Sequence, residues 1–180
     1  MPLGSAADKT DSTESRNTPE NAAAGTDEPP ATPLTETECR QRSIDNLKAI
    51  AAALCEQVDE TGLLPPNAIY APSQQPLLSW RVAILPRLGY KELHSRFKLD
   101  QPWDSPHNEK LLAEIPPVFQ SPERFDDKTN YVVPVGSSSA FSGFRGVARK
   151  HVEDGLSNTA LLLEVDDQQA VPWTKPAEYE

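Results

Sequence analysis

The stretch TETECRQRSIDNLKAIAAALCEQVDETG, residues 35–62, decides the fold. Thr35-Glu36-Thr37-Glu38 has the spacing of a capping box, in which a threonine hydroxyl accepts from an orphan backbone amide and a glutamate reaches back to the cap. Pro33 blocks extension upstream. Beyond the cap, Ile44, Leu47, Ala51, Leu54 and Val58 recur at three and four residues, with Ile50 and Cys55 widening the stripe. The spacing predicts an amphipathic helix of about 25 residues, ending near Thr61-Gly62 and stopped by Pro65-Pro66. Arg40, Arg42, Asp45, Lys48 and Glu56 supply its charged decoration.

Upstream of this helix the composition changes. Residues 1–38 hold five prolines, eight acids against two bases, no aromatic, and only Met1, Leu3 and Leu34 as large apolar side chains. Ordering a backbone residue costs roughly 1–2 kcal/mol, and this segment has too little apolar surface to offset that. A disordered, acidic, Pro-rich tail is expected over 1–34, with one domain over 35–180. Residues 1–38 carry −6 of the net charge of −10, so the rest of the chain is only mildly acidic. Nucleic acid is a poor partner for such a surface, because no basic stripe is available to displace counterions from phosphate. No run approaches the ~18 consecutive apolar residues of a membrane span, and the N-terminus lacks a charged-then-apolar signal pattern. The opening Met1-Pro2-Leu3-Gly4-Ser5 resembles a cloning remnant, which implies a removed anchor or signal and a tail acting as a spacer. Read instead as native coding sequence, it implies a cytoplasmic protein.

Cys39 and Cys55 lie on the predicted helix, separated by about 24 Å at ~1.5 Å per residue. A disulfide needs α-carbons within ~7 Å, so a continuous helix excludes an intrachain bond between them. Downstream, residues 79–98 read as helix: Trp80, Ile84, Leu88, Leu93 and Phe97 keep helical spacing, Ser79 is a cap, and Pro86 starts a second turn. Ser105-Pro106 is a cap followed by proline at the first helical position, opening a short helix with Leu111, Leu112 and Ile115. From Pro117 the pattern turns β-prone, in Val118-Phe119-Gln120, Asn130-Tyr131-Val132-Val133 and Ala160 to Val165. Residues 136–143, rich in Ser and Gly, form a loop, and Asp154-Gly155 marks a tight turn. The expected class is α+β: a long N-terminal amphipathic helix, a short helical insert, then an antiparallel sheet of three to four strands.

The second half also carries dense words, and all three tryptophans lie within them: Ser79-Trp80-Arg81, Trp103-Asp104-Ser105-Pro106-His107-Asn108, the Asp154-Gly155-Leu156-Ser157-Asn158-Thr159 run closing on Glu164, and Pro172-Trp173. With Cys39, Asn46-Leu47-Lys48, Pro65-Pro66, Ser121-Pro122 and Asn130-Tyr131 in order, the chain resembles a pilin-like family abundant in planctomycete bacteria, catalogued as domain of unknown function 1559. The resemblance implies a pilin-like fold and a structural or assembly role at the cell envelope. Its partners would be other envelope proteins or further copies of the chain. Three departures stand out: the prepilin helix is missing, Ser121 replaces a usual cysteine, and Cys55 replaces a usual histidine. Filament incorporation and a family disulfide are therefore not carried over.

Each candidate for chemistry has a structural reading beside it. Asp104 and His107, with Ser105 and Asn108, invite a hydrolase or metal reading, but a helix start already explains Ser105 and Pro106. His94 and His151 form no motif with His107, and no Gly-x-Ser-x-Gly elbow is present. Asp154, Asn158 and Glu164 surround a glycine turn and suggest calcium, yet the alternating acids of a calcium loop are missing, so side-chain to backbone turns are preferred. Trp103 and Trp173 suggest a sugar-stacking platform, against which each Pro-flanked tryptophan reads as a core or corner plug. No catalytic residue and no cofactor is assigned. The candidate binding loops are those holding Trp103, Asp104, His107, Asp154, Asn158 and Trp173, in a module that would take a ligand, a peptide or calcium.

Overall fold

The computed structural model describes residues 33–136, 139–142, 144–152 and 154–177. The tail expected over 1–34 lies outside the described residues except for Pro33 and Leu34. Helix α1 spans Glu36–Thr61. Its capping box forms as the sequence predicts: Thr35 Oγ1 accepts from the Glu38 amide at 3.3 Å, and the Glu38 carboxylate accepts from the Thr35 amide at 2.8 Å. Those bonds hold the Glu38 carboxyl below its ordinary range, the backbone bond contributing most. Gly62 closes the helix in the left-handed conformation, φ 73°, with its amide on the Val58 carbonyl at 2.7 Å.

The buried stripe of α1 is rotated from the one expected. Ile50, Ala53, Leu54 and Val58 enter the core, but Ile44 is 38% exposed and Leu47 only packs at the margin. Ser43 is buried in place of Ile44, because Tyr131 and Glu164 offer its hydroxyl two partners. Along the first two turns, residues 36–42, no side chain is buried and only Cys39 is half-covered, so this end of α1 leaves the core. Both cysteines are free.

After α1 comes a hairpin that the sequence reading missed, β1 (Ala68–Tyr70) with β2 (Pro76–Ser79), pairing Ile69 with Leu78. Ser79 ends β2 and caps α2 (Trp80–Ile84), its hydroxyl accepting from the Arg81 amide. The helix expected over 79–98 is thus two short ones, α2 and α3 (Lys91–Arg96), separated by turns through Pro86 and Gly89. The helix expected after Ser105-Pro106 is a 3-10 segment over Glu109–Glu114 that buries Leu111 and Leu112.

Among the described residues the expected sheet of three to four strands is instead three separate antiparallel pairs. Beside the hairpin, β3 (Lys128–Thr129) pairs with β6 (Val171–Pro172), and β4 (Tyr131–Val132) with β5 (Leu163–Glu164). Val118-Phe119-Gln120 is no strand. Pro116 and Pro117 preset a 3-10 turn over Pro117–Phe119, which drives Phe119 into the core, stacked on Trp173 at 6.1 Å and edge-on to Trp80 at 6.3 Å. A long helix with small antiparallel pairs remains an α+β architecture. No helix among the described residues is long and apolar enough to cross a membrane.

One side chain ties the pieces together. Arg81 is fully buried; its Nε and Nη2 donate to the Tyr131 carbonyl at 3.0 and 2.6 Å, and Nη1 donates to Ser79 Oγ at 2.7 Å. Its guanidinium also lies 4.9 Å from the centre of the Trp80 ring. The Tyr131 carbonyl is therefore taken by a side chain where a further strand would have to bond, which helps to keep the β4–β5 pair from growing.

Urea denaturation of three variants checks this packing. Leu54→Ala, at a fully buried position, is expected to cost ~2–5 kcal/mol. Leu47→Ala, at the margin, should cost clearly less. Arg81→Lys keeps the charge but loses the two-pronged bond, and a loss of ~1–3 kcal/mol is expected. Equal losses at Leu47 and Leu54, or a silent Arg81→Lys, would contradict the described core.

Candidate functional site

The words of the sequence divide: Ser79, Arg81, Ser105, Asn108, Asn130 and Tyr131 are buried, whereas Asp104, His107, Asp154, Ser157, Asn158 and Glu164 are exposed. At a first place, Asn46 Nδ2 donates to the Tyr131 hydroxyl at 3.3 Å and to the Gln120 carbonyl at 3.2 Å. The Tyr131 hydroxyl donates to Ser43 Oγ at 3.2 Å, and Ser43 donates to Glu164 Oε1 at 2.8 Å. This relay pins α1 to β4 and β5. Burial pushes the Tyr131 phenol upward and the Glu164 charge adds to the push, while its bonds to Ser43 and Asn46 act the other way. A hollow of about 240 Å³ beside the relay is lined by Cys39, Ser43, Ile44, Ser121 and Glu164.

The second place is the turn Trp103 to Asn108. Asn108 is fully buried and clamps the loop that precedes it: Oδ1 accepts from the Lys98 amide at 3.0 Å, and Nδ2 is shared among the carbonyls of Lys98, Gln101 and Pro102 at 3.0–3.1 Å. Ser105 Oγ accepts from the Asn108 amide at 3.2 Å, closing a turn over 105–108, whereas the 3-10 segment expected to open at Pro106 starts at Glu109 with Asn108 before it. His107 is exposed, and its Nε2 lies 2.8 Å from the Arg96 carbonyl. A carbonyl only accepts, so Nε2 carries the proton and is committed as a donor. Asp104 is exposed on the same turn. Trp103 is half-buried, with its amide on the Leu77 carbonyl at 2.8 Å and Lys175 Nζ 5.7 Å from the ring centre.

Trp173 lies apart from any opening. It is fully buried, its Nε1 donates to the Leu112 carbonyl at 2.9 Å, Phe119 stacks on it, and Phe97 meets it edge-on at 5.8 Å. No ring face is left for a sugar, so Trp103 and Trp173 form no platform.

Asp154 and Asn158 do reach a cavity, one of about 610 Å³ that also takes in Ser139, Ser142, His151 and Thr159. Gly155, at φ 72°, sets the turn, and Asn158 Nδ2 donates to the Asp154 carbonyl at 3.1 Å. Thr159 Oγ1 donates to the Gly155 carbonyl at 2.9 Å. The far wall is fixed by Gly146, φ +75°, where an added Cβ would stand 2.1 Å from the Leu64 carbonyl oxygen. Only glycine fits there. Of the expected turn bonds, Asn158 supplies a side chain, whereas Asp154 supplies its backbone carbonyl and makes no side-chain hydrogen bond among the described residues.

Hydroxyls, an imidazole, an amide and a carboxylate suit this cavity to hydrogen-bonding a small polar molecule. Among the described residues no hydrogen bond joins His151 to a hydroxyl or to Asp154, so no nucleophile and base are paired. Nor do three His, Cys, Asp or Glu side chains converge anywhere among them. The sequence reading found the Asp154 turn but missed His151, Ser139 and Ser142. Their only signal was a Ser-rich loop and an isolated histidine, which come to one wall only when the chain folds.

A family model described as "Protein of unknown function (DUF1559)" matches residues 37–150, from the start of α1 into the cavity wall. No curated protein and no solved structure matches the chain.

Melting in EDTA and in millimolar calcium separates the readings of the turn. Asn158→Ala should cost ~0.5–1.5 kcal/mol in both conditions, and Asp154→Ala should be nearly silent in both. A calcium-dependent rise in melting temperature that disappears in Asp154→Ala would assign the turn to calcium instead, since a ligand of the native state alone stabilises only when present.

Proposed function

The chain belongs to the DUF1559 family of unknown function, and on that premise we propose that it is a non-enzymatic, pilin-like cell-envelope protein with a structural or assembly role. The observation that carries this reading is where the polar groups of the sequence words go. Arg81, Asn108, Tyr131 and Trp173 are buried, and the hydrogen bonds of their side chains go chiefly to backbone carbonyls and to the relay beneath α1. Residues used in this way hold a scaffold. What the scaffold presents is its surface, together with an α1 whose first two turns leave the core. A helix that is buried along its second half and uncovered at its start is the arrangement a pilin-like stem requires. The protein would act through contacts with other envelope proteins and with its own copies.

A second reading, an extracytoplasmic ligand-, peptide- or calcium-binding module, is favoured by one observation, the polar cavity around Asp154 and Asn158. It expects a small polar molecule to raise the melting temperature of the wild type and not of Asn158→Ala.

Fractionation and chemical cross-linking in the native cell test the proposed role. The protein is expected in the envelope fraction, cross-linked into species larger than one chain. Recovery as a cytosolic, uncross-linked monomer would overturn it.

A further inference from the structure

Phe125 is 95% exposed, far more than any other large apolar side chain among the described residues. A lone exposed aromatic needs no explanation by itself. This one is held outward from both sides. Arg124 folds back, Nε to Asp126 at 3.0 Å and Nη1 to Asp167 at 2.8 Å, and the Arg124 amide closes a turn on the Ser121 carbonyl. Asp126 also accepts from the Lys128 amide at 3.2 Å, and the Asp127 carbonyl accepts from the Trp173 amide at 3.1 Å. With its neighbours bonded on both sides, the backbone at Phe125 is pinned at the surface.

The ring stands between two hollows that it helps to line, one of them floored by Leu112, Ala113 and Ile115. Five carboxylates and a single guanidinium line the pair, and that guanidinium is already paired with two of the acids. An occupant must therefore bring positive charge beside an apolar group. The chain has such a surface elsewhere. Arg145, Arg149 and Lys150 are exposed within six residues, next to Phe144, which is 41% exposed and has the Arg145 guanidinium 5.3 Å from its ring centre. Among the described residues Asp59 pairs with Arg149, and in the sequence Glu153 and Asp154 follow His151.

The two surfaces lie toward opposite ends of α1. Residues 121–123 border the hollow formed with Glu36, Cys39 and Ile44, whereas the basic loop bonds Leu64 and Gly62 through Val147 and Arg149. Along a helix at ~1.5 Å per residue, the distance from Ile44 to Gly62 is roughly 27 Å. We propose that Phe125 and its acidic hollows form a docking surface for the Phe144 to Lys150 loop of a second copy of this chain. Such a contact is heterologous: the pair keeps one unused surface of each kind, one on each copy, so further copies can add and association propagates beyond two. The inference rests on the assembly role proposed above and gives it a contact. One aromatic anchor and a few charge pairs make a small interface, weak for a pair and strengthened by repetition.

Sedimentation velocity of the full chain, from micromolar to millimolar concentration, tests this. Wild type should grow reversibly beyond dimer. Phe125→Ser, and separately Arg145→Glu with Lys150→Glu, should each weaken association about tenfold or more, with unchanged circular dichroism and melting temperature because the substituted side chains are exposed. Mixed together, the two variants should form a dimer that grows no further, since each supplies the surface the other lacks. A wild type monomeric at every concentration, a Phe125→Ser chain that associates like wild type, or variants that fail to complement would each overturn the proposal. If envelope cross-links in cells persist beside any of these results, the surface is wrong and the assembly role stands. If the cross-links are missing while complementation succeeds, the role is wrong and the contact stands.

Discussion

The two hydrogen bonds from Arg81 to the Tyr131 carbonyl are the constraint around which the domain is arranged. A guanidinium loses much hydration on burial, and the loss is tolerable only where several of its donors find partners in a fixed geometry. Ser79 Oγ, the Tyr131 carbonyl and the Trp80 face provide that geometry. Each depends on a different element being in place. Ser79 must end β2 and cap α2; Tyr131 must already be paired with Glu164; Trp80 must be wedged against Phe119 and Phe141. The Ser79 amide in turn bonds the Thr174 carbonyl, which brings the chain leading from β6 into the same junction. A buried cation thus joins the β1–β2 hairpin to the β4–β5 pair, and the Ser79 amide adds the segment after β6, where a continuous sheet would have used strand ladders.

How far the sequence disclosed this depended on the range of the forces involved. The limits of α1 were legible because a capping box and a left-handed glycine act within four residues. The exact buried face was not, since Ser43 displaces Ile44 only through partners at 131 and 164. Strands of two to four residues carry too little alternation to be seen, so the Ala68 to Ser79 hairpin went unread. In Val118-Phe119-Gln120 the β-prone side chains were visible, but the two preceding prolines decided the backbone. Around the candidate site, the Gly155 turn was legible from Asp154-Gly155, and Ser105 was legible as a side chain that closes on a nearby amide, though the helical segment starts later, at Glu109. The four-bond clamp of Asn108 and the wall contributed by Ser139, Ser142 and His151 depend on tertiary closure and had no local signature.

Electrostatics on this domain works by local contrast. Its overall excess of acid opposes indiscriminate clustering of copies, while the Arg124 pairs and the loop from Arg145 to Lys150 concentrate opposite signs in separate places. In the contact proposed between copies, repulsion over the whole surface and attraction at one patch would together select a register from a crowd of possible ones.

Trp173 also fixes the order in which the domain comes into being. It is the last large aromatic of the core in chain order, and the groups that hold it belong to Phe97, Leu112, Phe119 and Asp127. During synthesis every one of those residues leaves the ribosome before Trp173 does. Until it arrives, Phe97 and Phe119 face an unfilled core, and Ser79 lacks the Thr174 carbonyl. The nascent chain therefore has a long helix and its hairpin available early but cannot complete its core until about residue 175 has emerged. A protein organised in this way has a lengthy interval of apolar exposure, and whatever protects it during translation must remain until nearly the whole domain has been made.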